Sequence, residues 1–153
     1  MARPVIDITM IGDKELERKL ARLATPASQK RAIRPSLRAS AKRLKAEVVA
    51  NLSGLVVSPK TGRLLTAMQA QKVGALPRSR ALIGVGLPMP TRQELGIDPK
   101  DKYYYPAAVE YGHPGAPPYP YTRGAVDRNA ARELHTIGTD IGKAIEREAA
   151  KTA

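Results

Sequence analysis

Five cations, Arg31, Arg34, Arg38, Lys42 and Lys45, recur at three- and four-residue steps. At 100° per residue they fall within about 80° of one another on a helix, about a quarter turn from the neighbouring apolar stripe. Such a ridge can contact phosphates, each neutralised phosphate adding salt-dependent affinity without reading base sequence. Because basic helix faces are common and no stacking aromatic lies nearby, the plainer reading is a solvated helix face, or one that pairs with acidic residues of a neighbouring subunit. The second concentration of chemistry is aromatic, because all six tyrosines lie between Tyr103 and Tyr121. An exposed tyrosine carries an apolar ring with a polar tip, a combination enriched at protein interfaces. A buried one stands in for Phe and Trp, which the chain lacks. Tyr103, Tyr104, Tyr105 and Tyr111, with Glu110 among them, are the candidate subunit-interface residues.

Catalysis finds little support. Glu110 and His113 could form an acid/base pair, yet no nucleophile, third group or metal-ligand spacing accompanies them. Without Cys there is no disulfide framework, thiol nucleophile or Cys-based zinc site, and the two histidines, His113 and His135, are too few for a His-rich metal site. His135 stands one residue beyond an apolar stripe, as a helix-surface residue does. Gly84-Val85-Gly86 lacks the third glycine and the following helix of a dinucleotide-binding loop. The expectation is a protein without catalytic, metal or cofactor site.

The elements that must position these residues can be read from periodicity. Val5, Ile6, Ile8 and Met10, ending at Gly12, predict a strand of about six residues; Asp13, Glu15, Leu16, Leu20 and Leu23 predict a capped helix that stops near Thr25-Pro26. Ile33, Leu37, Ala41, Leu44, Val48 and Leu52 predict a longer helix over about 28–52 that carries the basic ridge, with Pro35 forcing either a kink or a start near Arg34. Leu64, Thr66, Met68, Ala70 and Lys72 alternate in part, as do Ala81, Ile83 and Val85, which predicts a hairpin around a turn at 74–80. Prolines 88, 90 and 99 predict a long loop over 86–102, Tyr103–Tyr111 a third strand, and 112–120 a second Pro-rich loop. Val126, Ala130, Leu134, Ile137, Ile141 and Ile145 predict a last helix over about 122–149. The order β-α-α-β-β-β-α makes a single α+β domain over 1–153, a small antiparallel sheet packed on a long helix and a C-terminal helix.

Composition bounds the class. The hydrophobic fraction is 42%, but 23 residues are Ala and none is Phe or Trp, so large core side chains are scarce and help from a partner surface is expected. A net charge of +12 points to an acidic partner, nucleic acid or an acidic protein surface. No apolar run approaches a membrane span, and Met1 is not followed by a signal-like segment, which predicts an intracellular product with no membrane partner.

Several segments in order carry a resemblance. Ile8-Thr9-Met10-Ile11-Gly12-Asp13-Lys14-Glu15-Leu16, a basic Ala-rich helix, Thr61-Gly62-Arg63-Leu64, Tyr104-Tyr105-Pro106-Ala107-Ala108-Val109-Glu110-Tyr111-Gly112 and Pro118-Tyr119-Pro120-Tyr121-Thr122-Arg123-Gly124-Ala125-Val126-Asp127 together resemble the tail-completion, or neck, proteins of tailed bacteriophages, a family similar to minor tail protein Z. The family usually has Phe where Tyr119 or Tyr121 stands and often Pro where Gly124 stands, and the stretch 86–102 looks like an insertion. The resemblance implies a structural virion protein that joins the head connector to the tail tube, made in the host cytoplasm. It implies a ring, commonly of six subunits, around a channel for genomic DNA, with the connector on one side and the tube or tail terminator on the other. A tail terminator, an adjacent neck ring and a small basic nucleic-acid-binding protein are the alternatives. A ring subunit gains missing burial from its neighbours, and a heterologous interface needs two unlike patches, for which the tyrosine segment and the basic helix are candidates.

Overall fold

The structure, a computed structural model, describes residues 26–55, 59–75, 85–87 and 89–150. Helices account for 67% of the described residues: α1 (Pro26–Ser53), α2 (Pro59–Ala70), α3 (Tyr105–Tyr111) and α4 (Arg123–Ala150). The extended structure is a two-residue antiparallel pair, β1 (Gly74–Ala75) with β2 (Val85–Gly86), which forms no layer. The expected α+β class is therefore corrected to a mostly helical fold. The expected strand at Val5–Met10 and the helix after Asp13 lie outside the described residues.

Two of the three middle strands are helices, for identifiable reasons. In α2 the buried residues are Leu64, Ala67 and Met68, with Thr66 exposed; three- and four-residue steps select a helix, whereas a strand would have placed 64, 66 and 68 together. In the tyrosine segment Pro106 lies in the first turn of α3, where its missing amide costs nothing, and the buried pair Pro106 and Glu110 is one helical turn apart. Gly112 then ends α3 at φ +79° and ψ 172°, backbone essentially reserved for glycine.

The long helices α1 and α4 run antiparallel, as Arg31 near Glu148, Arg43 on Glu133 and Asn51 beside Arg128 show. Their contact follows a four-residue rhythm on both sides. Ala32, Ser36, Ser40, Leu44, Val48 and Leu52 are all buried on α1, and Ala125, Asn129, Glu133, Ile137, Ile141 and Ile145 on α4. Rows of this spacing form the ridges that interdigitate when helices pack closely. The apolar stripe expected on α4 was misplaced over its first half: Leu134 is 43% exposed, and the polar Asn129 and Glu133 take the inward positions. Pro35 lies inside α1, neither at a late start nor in its first turn; without an amide it leaves the Arg31 carbonyl one helical bond short.

Two apolar clusters lie at opposite ends of this pair. Ala32 packs with Ile137, Ile141 and Ile145, each isoleucine contributing about 1.5–3 kcal/mol by burial. Val48, Leu52, Leu64, Met68, Leu87, Leu95 and Tyr121 form the other, where α2 and the loop meet the pair.

Between the clusters Glu133, 3% exposed at its side chain, accepts from Arg43 Nη2 at 2.6 Å and from Arg43 Nε at 3.0 Å. The guanidinium holds this carboxyl below the usual carboxylate range against the opposing effect of burial. In turn the carboxylate raises the Arg43 pKa.

The Arg43–Glu133 pair makes stability depend on pH. The unfolded chain takes up a proton at position 133 near pH 4.5, before the folded chain does. Stability from the pair is therefore complete above that value and lost as pH falls through the depressed folded pKa. Urea midpoints measured from pH 7 to pH 3 should drop more for the wild type than for Glu133→Gln, which is less stable at pH 7 by about 2 kcal/mol. Separately, a Cβ at Gly138 or Gly142 of α4 would meet nothing within 4 Å. Alanine at each should raise stability by about 0.5–1 kcal/mol, seen as a higher melting temperature.

Candidate functional site

The basic ridge divides in the folded chain. Arg34, Arg38 and Lys42 are exposed, with no acidic partner among the described residues, and Arg31 reaches Glu148 only at 3.9 Å. With Lys30 they border a shallow open groove of about 730 Å³ whose floor is Ala27, Pro35 and Ala39. Lys45 belongs elsewhere. Its ammonium donates to the Gln69 and Gln71 carbonyls at 2.6 and 2.5 Å, closing the C-terminal end of α2, where the helix dipole is negative.

The tyrosine segment forms a clasp over the start of α4. Glu110, buried in α3, accepts from the backbone amides of Thr122 and Arg123, each at 2.9 Å, and from Arg123 Nε at 3.3 Å. These amides stand at the opening turn of α4, where no intrahelical acceptor exists and a negative group is favoured. Arg123 completes the loop by donating to the Glu110 carbonyl at 3.2 Å while its guanidinium lies 4.7 Å from the Tyr111 ring centre. Glu110 is thus a structural cap, withdrawn from any surface, and the imagined Glu110–His113 acid/base pair is not assembled. The His113 side chain is exposed, with Nδ1 2.8 Å from the Pro114 carbonyl and its ring edge-on to Tyr103.

The return path from α3 is held by short bonds. His113 and Ala116 exchange backbone bonds around Pro114-Gly115, with Gly115 at φ +93°, and Tyr119 N–H donates to the Val109 carbonyl at 2.7 Å. A Cβ at Gly112 would lie 2.9 Å from Pro118 N, so glycine is required there for space as well as for φ. Asn51, near the end of α1, ties the clasp down. It donates to the Tyr121 carbonyl at 2.8 Å, accepts from Arg128 at 2.7 Å, and its carbonyl accepts from the Tyr119 hydroxyl at 3.3 Å.

The six tyrosines sort into two roles. Tyr121 is fully buried, and burial, reinforced by Glu110, pushes its hydroxyl well above the usual tyrosine range. Tyr104 and Tyr105 are half-buried and raised for the same first reason; the Tyr104 hydroxyl donates to the Pro90 carbonyl at 2.7 Å. Tyr103, Tyr111 and Tyr119 are exposed, Tyr111 at 65%. Of the expected interface set, Tyr103 and Tyr111 present surface, Tyr104 and Tyr105 are mainly packing, and Glu110 is internal.

The Pro-rich loop is pinned from within. Leu95 is buried in the larger cluster, Thr91 and Glu94 bond reciprocally, and Arg92 donates to the Asp101 carbonyl at 2.6 Å. The open cleft of about 1410 Å³ that this loop borders contains Arg92, Asp98, Asp101 and Tyr104, without a nucleophile–base pair. Among the described residues no cluster of His, Asp or Glu could hold a metal ion, and no helix is long and apolar enough to cross a membrane. Residues that periodicity missed, Arg43, Asn51, Arg123 and Glu133, are polar groups whose partners are distant in sequence. Comparison with protein-family models, curated proteins and solved structures finds no match for this chain.

The clasp makes a stability prediction. Glu110→Ala leaves two helix-opening amides and Arg123 without their acceptor, and should cost about 2–3 kcal/mol. Gly112→Ala should cost about 1–3 kcal/mol from backbone strain alone. Tyr111→Ala, on the exposed side of the same clasp, should change the urea midpoint little; equal losses in all three variants would contradict this division of roles.

Proposed function

We propose that the chain is a structural subunit of a tailed-phage virion, a ring-forming component of the neck that joins the head connector to the tail tube and carries no catalytic activity. The family is suggested by the ordered sequence segments. The observation that carries the reading is the clasp: the most family-like stretch, Tyr104 to Asp127, is tied by Glu110 into one unit that turns tyrosines 103, 111 and 119 outward. Glu110 and Gly112 explain physically why a Glu-aromatic-Gly sequence should precede a Pro-aromatic stretch and a helix. One residue caps the helix to come, and the other makes the turn back toward it.

Exposed amphipathic rings on a rigid support suit an interface, because their apolar area is offered at low entropic cost. The small core supports the same reading. Its large side chains are few, and the exposed Leu134 and tyrosines retain apolar surface for a neighbour to cover. In a ring each subunit uses two unlike patches, so the clasp of one protomer would meet a different face of the next. Genomic DNA would pass within such a ring, in the virion.

Native mass spectrometry and negative-stain imaging of the purified chain should show a closed oligomer, six subunits being the expected number. The Tyr103→Ala/Tyr111→Ala variant should remain helical by circular dichroism but shift to monomer. Phage lacking the protein should yield DNA-filled heads lying beside separate tails. A chain that stays monomeric and binds neither heads nor tails would sink the proposal.

A further inference from the structure

We propose that the exposed face of α1 from Lys30 to Lys42 binds the phosphate backbone of duplex DNA without reading its sequence. This inference stands on the charge geometry of α1 and does not require the neck reading. The folded chain separates cations with an internal role from those without one. Arg43 is committed to Glu133, Lys45 to the end of α2, Arg92 to the loop and Arg123 to the clasp. Arg34, Arg38 and Lys42 have no such commitment among the described residues, and they stand on successive turns.

Four-residue steps place these groups about 6 Å apart along the helix axis, and Lys30 to Lys42 span about 18 Å. Each duplex strand carries a phosphate about every 3.4 Å of axis, so a face of this length can meet three to five phosphates. Ala27, Pro35 and Ala39 form a low floor, so a backbone can approach between the long side chains. The acidic groups nearby lie to one side, where Asp140 and Glu148 border the cleft between α1 and α4 with Arg31 and Arg147.

The composition of the groove distinguishes its partner. It has no aromatic ring on which an unpaired base could stack, which favours duplex over single strands. It has no Asn or Gln to pair with a base edge, which removes the usual means of sequence readout apart from Arg itself. It also lacks the buried aromatic anchor typical of a protein–protein hot spot, which disfavours an acidic protein partner. Arg at 31, 34 and 38 offers planar forks suited to phosphate oxygens.

The test is a titration of the full chain against a labelled mixed-sequence duplex of about 20 base pairs at several salt concentrations. Three to five contacts predict a log–log salt slope of about −2.7 to −4.5, the same for duplexes of unrelated sequence. Arg34→Gln/Arg38→Gln/Lys42→Gln should flatten the slope by about 2.7 and weaken low-salt binding at least tenfold, with an unchanged melting temperature. Lys100→Gln/Lys102→Gln/Lys143→Gln removes the same charge from other exposed positions and should leave most of the slope intact. Absence of binding at low salt, equal losses in both triple variants, or tighter binding of poly-glutamate than of duplex would each overturn the proposal. The poly-glutamate result would assign the face to an acidic protein instead.

Discussion

A buried carboxylate placed at the opening of a helix organises one end of this molecule. Glu110 reaches from the short α3 to the first amides of the 28-residue α4. Because a carboxylate withdrawn from water requires partners, and the opening amides of a helix require acceptors, each satisfies the other's unmet bonding. The position of α3, the turn at Gly112 and the seat of Tyr121 all follow from this one meeting. Asn51 then transmits it to α1, so the long helix pair is registered at that end by polar groups and sealed by apolar ones.

The middle of the helix pair uses a similar solution at a different depth. Arg43 and Glu133 form a forked ion pair between two apolar clusters, with the guanidinium 40% exposed and the carboxylate nearly buried. The arrangement limits the desolvation cost, since one partner keeps much of its water. It also disfavours sliding: a shift of the helices by one turn would leave Glu133 buried without its cation. Small residues on α1 opposite the isoleucines of α4 do the complementary work, allowing close approach without large aromatic side chains. A chain without Phe or Trp thus retains a specific helix pairing, although its two apolar clusters remain modest.

Legibility followed chemistry. The two long helices were readable because their apolar residues recur over about five turns each, while the inward faces of α4 and of the first half of α1 differ from the expected stripes. At positions 129 and 133 polar residues occupy the core side, and a hydrophobicity pattern has no means of seeing that an arginine ninety residues away donates to one of them. The segment at 59–70 failed differently: Leu64, Thr66 and Met68 alternate by accident, and Ala67, too small to weigh in the pattern, is the residue that reveals the helical face. The run Tyr103–Tyr105 looked like a strand from its residue types, but Pro106 and Gly112 bracket a single helical excursion. Among the site residues, the exposed cations at 34, 38 and 42 were legible from spacing. Lys45 was not separable from them, since its departure depends on where α2 ends, and neither was Glu110, whose acceptor role depends on a helix twelve residues later.

The Glu110 clasp and the Arg43–Glu133 pair differ most in the length of chain each encloses, twelve residues against ninety. Closing the longer loop costs about 1.8 kcal/mol more in chain entropy, so the clasp is the contact a collapsing chain reaches first. Once made, it presents α4 with its opening turn already satisfied, and helix growth can proceed from there toward the C-terminus. The folding nucleus expected on this basis lies at the end of the molecule that also displays the outward tyrosines. The outward tyrosine face would then take shape before the long helices close, while the remainder of the core is still being built.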